Sequence, residues 1–136
     1  ARRVTRPGGA VMICTWGRPE RVDMAPVIRA LGSLLPPPPP GAPGPFALSE
    51  DGALAALVRQ AGLQPRHGGR YVDRWKLPAD VETVLRGLLS SGPASAAIER
   101  AGEEAVRAVL TEVLPNYQTD DGYVFENEFV YLIARA

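Results

Sequence analysis

The pattern of hydrophobic and polar residues changes along the chain, and the first clear feature is an unbroken apolar run. This run, residues 10–14 (AVMIC), follows the turn sequence Arg6-Pro7-Gly8-Gly9 and closes on Thr15-Trp16-Gly17. Proline fixes φ and glycine accepts positive φ, so this sequence favours a turn. An apolar run without alternation is typical of a strand buried on both faces of a sheet. We therefore predict a central strand over residues 10–16, in which Cys14 is a small buried side chain.

Helical spacing of apolar residues marks several later segments. Ser49 to Ala61 starts with an N-cap type of residue and stops at Gly62, which suits a helix C-terminus. Residues 80–91 start with Asp80 as a second N-cap and are followed by Gly92-Pro93. Helices are also predicted within residues 18–35, 94–100 and 103–114, the first from a narrow apolar face.

Two further segments predict strands. The sequence Gly68-Gly69 predicts a turn into residues 70–77, whose many charges are typical of an edge strand. Residues 123–134 follow an Asp-Gly turn, alternate at first and become apolar on both faces from Phe129, so this strand should run from the rim of a sheet into its interior. Glu126 and Glu128 share its polar face, and we expect both carboxylates to be solvated.

A proline-rich segment separates the first strand and helix from the rest. Five consecutive prolines, Pro36–Pro40, lead into Gly41-Ala42-Pro43-Gly44-Pro45. Such a segment favours the polyproline II conformation and cannot join a strand ladder. SH3-type domains bind segments of this kind, but no Arg or Lys flanks this one closely, and a surface linker is the favoured interpretation.

Composition narrows the class of protein. The 136 residues suit one small domain, and 46% hydrophobic residues are enough for a core. Lys+Arg and Asp+Glu number 15 each, so no basic excess indicates nucleic-acid binding. The apolar runs are far shorter than the ~20 residues of a membrane helix. One Cys and one His exclude a disulfide framework and a zinc site of soft ligands, and a reducing, cytoplasmic location is predicted.

Two segments resemble a known enzyme family. Residues 2–17, RRVTRPGGAVMICTWG, resemble the fifth-strand region of class I S-adenosylmethionine-dependent methyltransferases, in which a helix ends in R-V-L-(R/K)-P-G-G before a hydrophobic strand. Residues 43–63, PGPFALSEDGALAALVRQAGL, resemble the next helix of that family, which runs into A-G-(F/L). The two matches follow one another in the family's order.

The resemblance implies an α/β fold. The chain would be the C-terminal part of a Rossmann-like methyltransferase fold, with about three strands, the last antiparallel and placed between the other two. The resemblance divides the chain into five segments. These are a helix end and central strand (residues 1–17), an insertion with the Pro-rich linker (18–45), a helix and edge strand (46–77), a helical cap (78–119) and the antiparallel final strand (120–136).

The resemblance also implies the function. The full enzyme would transfer a methyl group from S-adenosylmethionine to a small molecule held under the cap. The family's glycine-rich cofactor turn follows its first strand, whereas Gly8-Gly9 precedes a strand, so the cofactor site is expected in a missing first half and the chain alone should be inactive. We predict no catalytic residue and no metal site.

Substrate-side residues follow from position. Open α/β sheets bind ligands at the carboxyl ends of their strands, which selects Trp16 and Arg18, and Tyr117 lies just past the cap helices. Trp16 could equally cap the core beside the strand end. The alternative function is a non-enzymatic interaction or dimerisation module, because an unpaired edge on the first strand favours self-association.

Overall fold

The computed structural model describes residues 1–136 as a mixed α/β protein of four strands and five helices. No helix combines the length and the apolar character that crossing a membrane requires. Short 3-10 helices cover Arg2–Val4, Pro19–Arg21 and Leu114–Tyr117. The main elements are β1 (Ala10–Trp16), α1 (Met24–Gly32), α2 (Ala53–Gln60), β2 (Gln64–Leu77), α3 (Val81–Leu89), α4 (Gly92–Ala101), α5 (Glu103–Val113), β3 (Gln118–Thr119) and β4 (Gly122–Arg135).

The sheet has the strand order β1-β4-β2. β4 runs antiparallel to β1, from the pair Ala10↔Arg135 to the pair Trp16↔Phe129. The two-residue strand β3 forms a hairpin with the start of β4 across Asp120-Asp121. The prediction that the last strand is antiparallel and lies between the other two is therefore confirmed.

The chain divides into two compact units. The first unit comprises residues 1–22, 43–73 and 127–136, and the second comprises residues 23–42 and 74–126. The strands β2 and β4 contribute residues to both units. Each unit has its own hydrophobic core.

The core of the first unit lies between α2 and one face of the sheet. Leu54 and Val58 of α2 are buried together with Leu63 and with Leu132 and Ala134 of β4. The helix begins at Ala53, and its N-cap is Gly52, with a positive φ of 83°, so the prediction of Ser49 as the N-cap is wrong. It ends as predicted, because Gly62 takes a φ of 73° just beyond the C-cap.

The core of the second unit is mainly helical, with Phe125 of β4 fully buried among the helices. Asp80 caps α3 as predicted, since its carboxylate accepts a hydrogen bond from the Thr83 amide at 3.1 Å. Ser91 caps α4 in the same way, so Gly92-Pro93 begins a helix as well as ending one. The buried members of this core are Val27, Leu31, Val84, Leu85, Ala94, Ala97, Val106, Leu110, Leu114, Tyr123 and Phe125.

β1 differs from the prediction in its burial. Its side chains alternate between exposed (Ala10, Met12, Cys14) and partly buried, and none of the seven residues is fully buried. Met12 is 64% exposed. The prediction of a strand buried on both faces is therefore wrong, as is the prediction that Cys14 is buried. The reason is that β1 is the last strand of the sheet order and that the α2 core covers only one of its faces.

The Gly68-Gly69 sequence is a strand segment and not the predicted turn. Both glycines lie within β2, where β4 approaches closely. A Cβ atom at Gly68 would lie 2.7 Å from the carbonyl oxygen of Tyr131, and one at Gly69 would lie 3.3 Å from the Tyr131 ring. The neighbouring backbone thus leaves no room for a side chain at Gly68, and a side chain at Gly69 would require the Tyr131 ring to shift.

Candidate functional site

The candidate site lies in the first unit, at the carboxyl end of β1. There the sequence Trp16-Gly17-Arg18 leaves the sheet, and the Gly17 amide donates a hydrogen bond to the Glu128 carbonyl at 2.7 Å. A Cβ atom at Gly17 would lie 2.6 Å from Glu128 Cγ. Glycine is thus required at this point because the Glu128 side chain passes directly beside the backbone.

Glu128 is the most buried charged residue of the site, with 2% of its surface exposed. Its Oε1 atom accepts hydrogen bonds from the Arg18 amide at 3.1 Å and from Arg70 Nη1 at 2.9 Å. Its Oε2 atom lies 3.2 Å from Arg21 Nε. Both oxygens therefore have cationic or amide partners, as a buried carboxylate requires.

The environment of Glu128 favours its charged form. Burial alone raises the pKa of this carboxyl group, but the hydrogen bonds from Arg18 and Arg70 and the charges of Arg21 and Arg70 outweigh the burial, and the pKa lies below its ordinary value of 4.5. Glu128 is therefore ionised at neutral pH and suits a positioning role better than a proton-transfer role.

Arg70 connects the buried carboxylate to the surface. Its Nη2 atom donates to Asp51 Oδ1 at 2.7 Å and to the Ser49 carbonyl. Arg18 Nη2 lies 3.3 Å from the other oxygen of Asp51. The hydrogen bond and charge of Arg70, followed by the charge of Arg18, lower the pKa of the exposed Asp51 carboxyl group. Three arginines thus share two carboxylates, which leaves the cluster with one excess positive charge.

A cavity of about 310 Å³ opens beside this cluster in the first unit. It lies between the start of α2 and the strands β2 and β4, and Arg70 and Asp51 form part of its polar wall. Its volume is at the lower end of the range of small-molecule pockets. The lining residues are Glu50, Asp51, Gly52, Leu54, Ala55, Gly68, Gly69, Arg70, Val130, Tyr131 and Leu132.

Aromatic side chains cover the other face of the same sheet. Trp16 stacks on Phe129 with ring centroids 5.0 Å apart, and Tyr71 stacks on the same ring at 5.3 Å. The Tyr71 hydroxyl lies 3.6 Å from Cys14 Sγ. His67 and Tyr131 continue the row, with a hydrogen bond of 3.1 Å between ring nitrogen and hydroxyl. The sheet face at the end of β1 is therefore apolar and partly exposed.

The predicted substrate residues fall into both units. Trp16 and Arg18 lie together at the end of β1, while Tyr117 belongs to the second unit and stacks on Phe125 at 4.5 Å. Burial, with a smaller contribution from the charge of Asp23, raises the pKa of the Tyr117 hydroxyl, against an opposing effect of Arg29. The role of all three in substrate binding stays a prediction.

The sequence reasoning missed the charged cluster. It predicted that Glu126 and Glu128 are both solvated, and this is wrong for Glu128. Glu126 is 58% exposed and lies 3.5 Å from Arg74, whereas the side chain of Glu128 is 3% exposed. Both carboxylates have a cationic partner, but Glu128 is also enclosed by the Gly17 backbone and accepts a hydrogen bond from the Arg18 amide. No local signal distinguishes them, since Arg70 lies 58 positions away along the chain.

The second unit has a smaller cavity of about 250 Å³. Its wall includes Arg74, Lys76, Thr119 and Asp121. No group of His, Cys, Asp and Glu side chains in the chain has the arrangement of a metal site. The larger cavity and the buried Glu128 beside it make the first unit the better candidate for function.

Comparison with known proteins gives a structural likeness and no sequence match. No protein-family model matches the chain, and no curated protein matches it. Among solved structures, one described as a candidate methyltransferase from Bacillus halodurans C-125 aligns over 96% of this chain with a TM-score of 0.41 and 12% identity. The alignment covers 56% of that structure, so the chain spans little more than half of its length.

Proposed function

We propose that the chain forms the substrate-side part of an S-adenosylmethionine-dependent methyltransferase that acts on a small molecule. The carrying observation is the strand order β1-β4-β2 with an antiparallel last strand in the middle. The family resemblance implies this strand order, and the chain that contains the two resembling segments has it. The helices within residues 78–119 are the cap that the resemblance implies.

The cofactor site belongs, in this proposal, to residues outside the 136 described. The chain's own residues do not fit such a site, because Gly8 and Gly9 precede β1 and no glycine-rich turn connects a strand to the start of a helix. No step of the reaction is therefore assigned to a residue that would contact the cofactor.

The chain's own part in the reaction would be to bind and orient the acceptor. Trp16 provides an aromatic surface at the end of β1. Arg18 provides a positively charged side chain, and its backbone amide is fixed by a hydrogen bond to the Glu128 carboxylate. Methyl transfer depends mainly on alignment of the two reactants and on exclusion of water, so rigid positioning is a sufficient role.

The proposal is tested first on the coding sequence that precedes Ala1. It should encode a strand, the pattern E/D-x-G-x-G and a helix, in that order. A protein that includes those residues should bind S-adenosylmethionine in calorimetry and form S-adenosylhomocysteine with an acceptor from a small-molecule panel. The 136-residue chain is the matched control and should do neither. Absence of the upstream pattern, or binding by the short chain, would overturn the proposal.

A substitution of Trp16 tests the acceptor site. In the longer protein, Trp16→Ala should raise KM for the acceptor without weakening cofactor binding, because the acceptor loses an aromatic contact. Tyr71→Ala is the matched control, since Tyr71 is 45% exposed and stacks on the same Phe129 ring but lies within β2. Equal kinetics for wild type and Trp16→Ala would remove Trp16 from the site.

A second candidate is a non-enzymatic interaction module. The favouring observation is that β1 has one strand neighbour and an apolar sequence at the edge of the sheet. Such a protein would show no upstream cofactor pattern, so the same sequence test separates the two candidates.

A further inference from the structure

The edge of β1 combines two features that rarely occur together. Its sequence, AVMICTW, has no charged residue, as in a strand with neighbours on both sides, yet it is the terminal strand of the sheet. Proteins usually protect exposed edges with charges, prolines or bulges. The opposite edge strand, β2, carries such charges within the first unit, among them Arg66, Arg70 and Asp73.

The backbone of β1 has a defined outward hydrogen-bonding pattern. Gly17 donates to Glu128 and Gly9 accepts from Ala136, so odd-numbered residues bond to β4. Successive residues of a strand bond to opposite sides. The N–H and C=O groups of Ala10, Met12 and Cys14 therefore point away from β4, towards the free edge. All three side chains are exposed.

We propose that this edge binds the β1 strand of a second copy of the chain, antiparallel and about a two-fold axis at Ile13. This register aligns all seven residues and places Met12 opposite Cys14 of the second copy, with the outward backbone groups of both facing each other. The two sheets join into one, and the aromatic faces become continuous. A second copy is the favoured occupant because the seven residues carry no charge to repel it and because the pattern complements itself.

The test is the oligomeric state of the 136-residue chain. Sedimentation equilibrium should show a monomer–dimer equilibrium, and Met12→Lys should raise the dimer dissociation constant about tenfold or more, because a lysine on an edge strand opposes pairing. Val72→Lys is the matched control: Val72 is 52% exposed on the other edge strand and should leave dimerisation unchanged. Thermal melts of both variants confirm that they fold.

The register has its own test. In Met12→Cys the new thiol lies opposite Cys14 of the second copy, at the separation of about 5.5 Å between Cα atoms that a disulfide spans. Mild oxidation should therefore give a covalent dimer faster than in the wild type, whose Cys14 faces Met12.

Three outcomes overturn the proposal: a monomer at concentrations up to about 1 mM, a dimer that Val72→Lys but not Met12→Lys dissociates, or equal cross-linking of wild type and Met12→Cys. The proposal does not depend on the methyltransferase function, whose test is cofactor binding and turnover by the longer protein. In that protein a further strand would compete with the second copy for the same edge.

Discussion

Replacing Glu128 with glutamine tests whether the buried carboxylate organises the end of β1. The amide oxygen of glutamine can take the place of Oε1 and keep the Arg18 amide and Arg70 as donors. The NH2 group must then take the place of Oε2 and face Arg21 Nε, where a donor meets a donor. Arg21 is 60% exposed and can turn into water, so the variant should fold.

The size of the effect follows from the lost interactions. A hydrogen bond to a charged group contributes about 1.5–3 kcal/mol, and removal of one partner of a buried ion pair costs about 3–5 kcal/mol. Glu128→Gln keeps part of the geometry, so we expect a loss of about 1–3 kcal/mol in the free energy of unfolding at pH 7. Glu128→Ala should cost more, because Arg70 and the Arg18 amide then lose their acceptor as well.

The pH dependence gives the second part of the test. The pKa of Glu128 is lowered on folding from its ordinary value of 4.5, so the folded state binds its proton less readily than the unfolded state. The stabilisation is complete above about pH 4.5 and is lost as pH falls through the folded-state pKa. A protonated glutamic acid and a glutamine are both neutral. The stability difference between wild type and Glu128→Gln should therefore shrink on acidification.

Urea unfolding followed by circular dichroism measures both effects, at pH 7 and at decreasing pH. Glu126→Gln is the matched control: it removes the same charge two residues away on the same strand, where the side chain is 58% exposed, and should leave stability nearly unchanged. The reasoning is refuted if both variants match the wild type at pH 7, or if the Glu128→Gln difference is the same at every pH.

Three further predictions concern packing and exposure. Gly17→Ala should lower the free energy of unfolding by about 1–3 kcal/mol, because the added Cβ atom would overlap the buried Glu128 side chain. Gly87→Ala is the control: a Cβ atom there meets nothing within 4 Å, so this substitution should stabilise α3 slightly. Chemical denaturation measures both free energies. Leu110→Ala should lower the free energy of unfolding by about 2–5 kcal/mol, because Leu110 is fully buried. Leu57→Ala should lower it much less, because Leu57 is 46% exposed. Equal losses of stability would contradict the assigned core. Cys14 should react with Ellman's reagent in the folded protein nearly as fast as in urea, and slow reaction would contradict its exposure.

Elements with local signals could be predicted from the sequence. The end of α2 at Gly62 and the start of α3 at Asp80 depend on one residue each, whose conformation or side chain satisfies the helix terminus. The hairpin before β4 likewise depends on a short turn sequence. Each of these features is determined within a few residues, so a sequence pattern is enough to locate it.

The charged cluster could not be predicted, because its partners are distant along the chain. Arg70 and the Arg18 amide reach Glu128 across 58 and 110 positions, and only the paired strands bring them together. The strand pattern gives Glu126 and Glu128 the same face and hence the same expected environment. Gly68-Gly69 was misassigned for the same reason: the residue that excludes a side chain there, Tyr131, belongs to β4.

For β1, the number of neighbouring strands that the sequence predicts differs from the number that the structure shows. Its apolar composition suits a strand with two neighbours, and the structure provides one. Both proposals resolve this by adding a strand, but they differ in its direction: the second copy pairs antiparallel to β1, whereas the parallel sheet of the Rossmann-like fold would supply a parallel neighbour. In the second case Met12→Lys would destabilise the longer protein itself, while in the first it would change only the association of two folded chains.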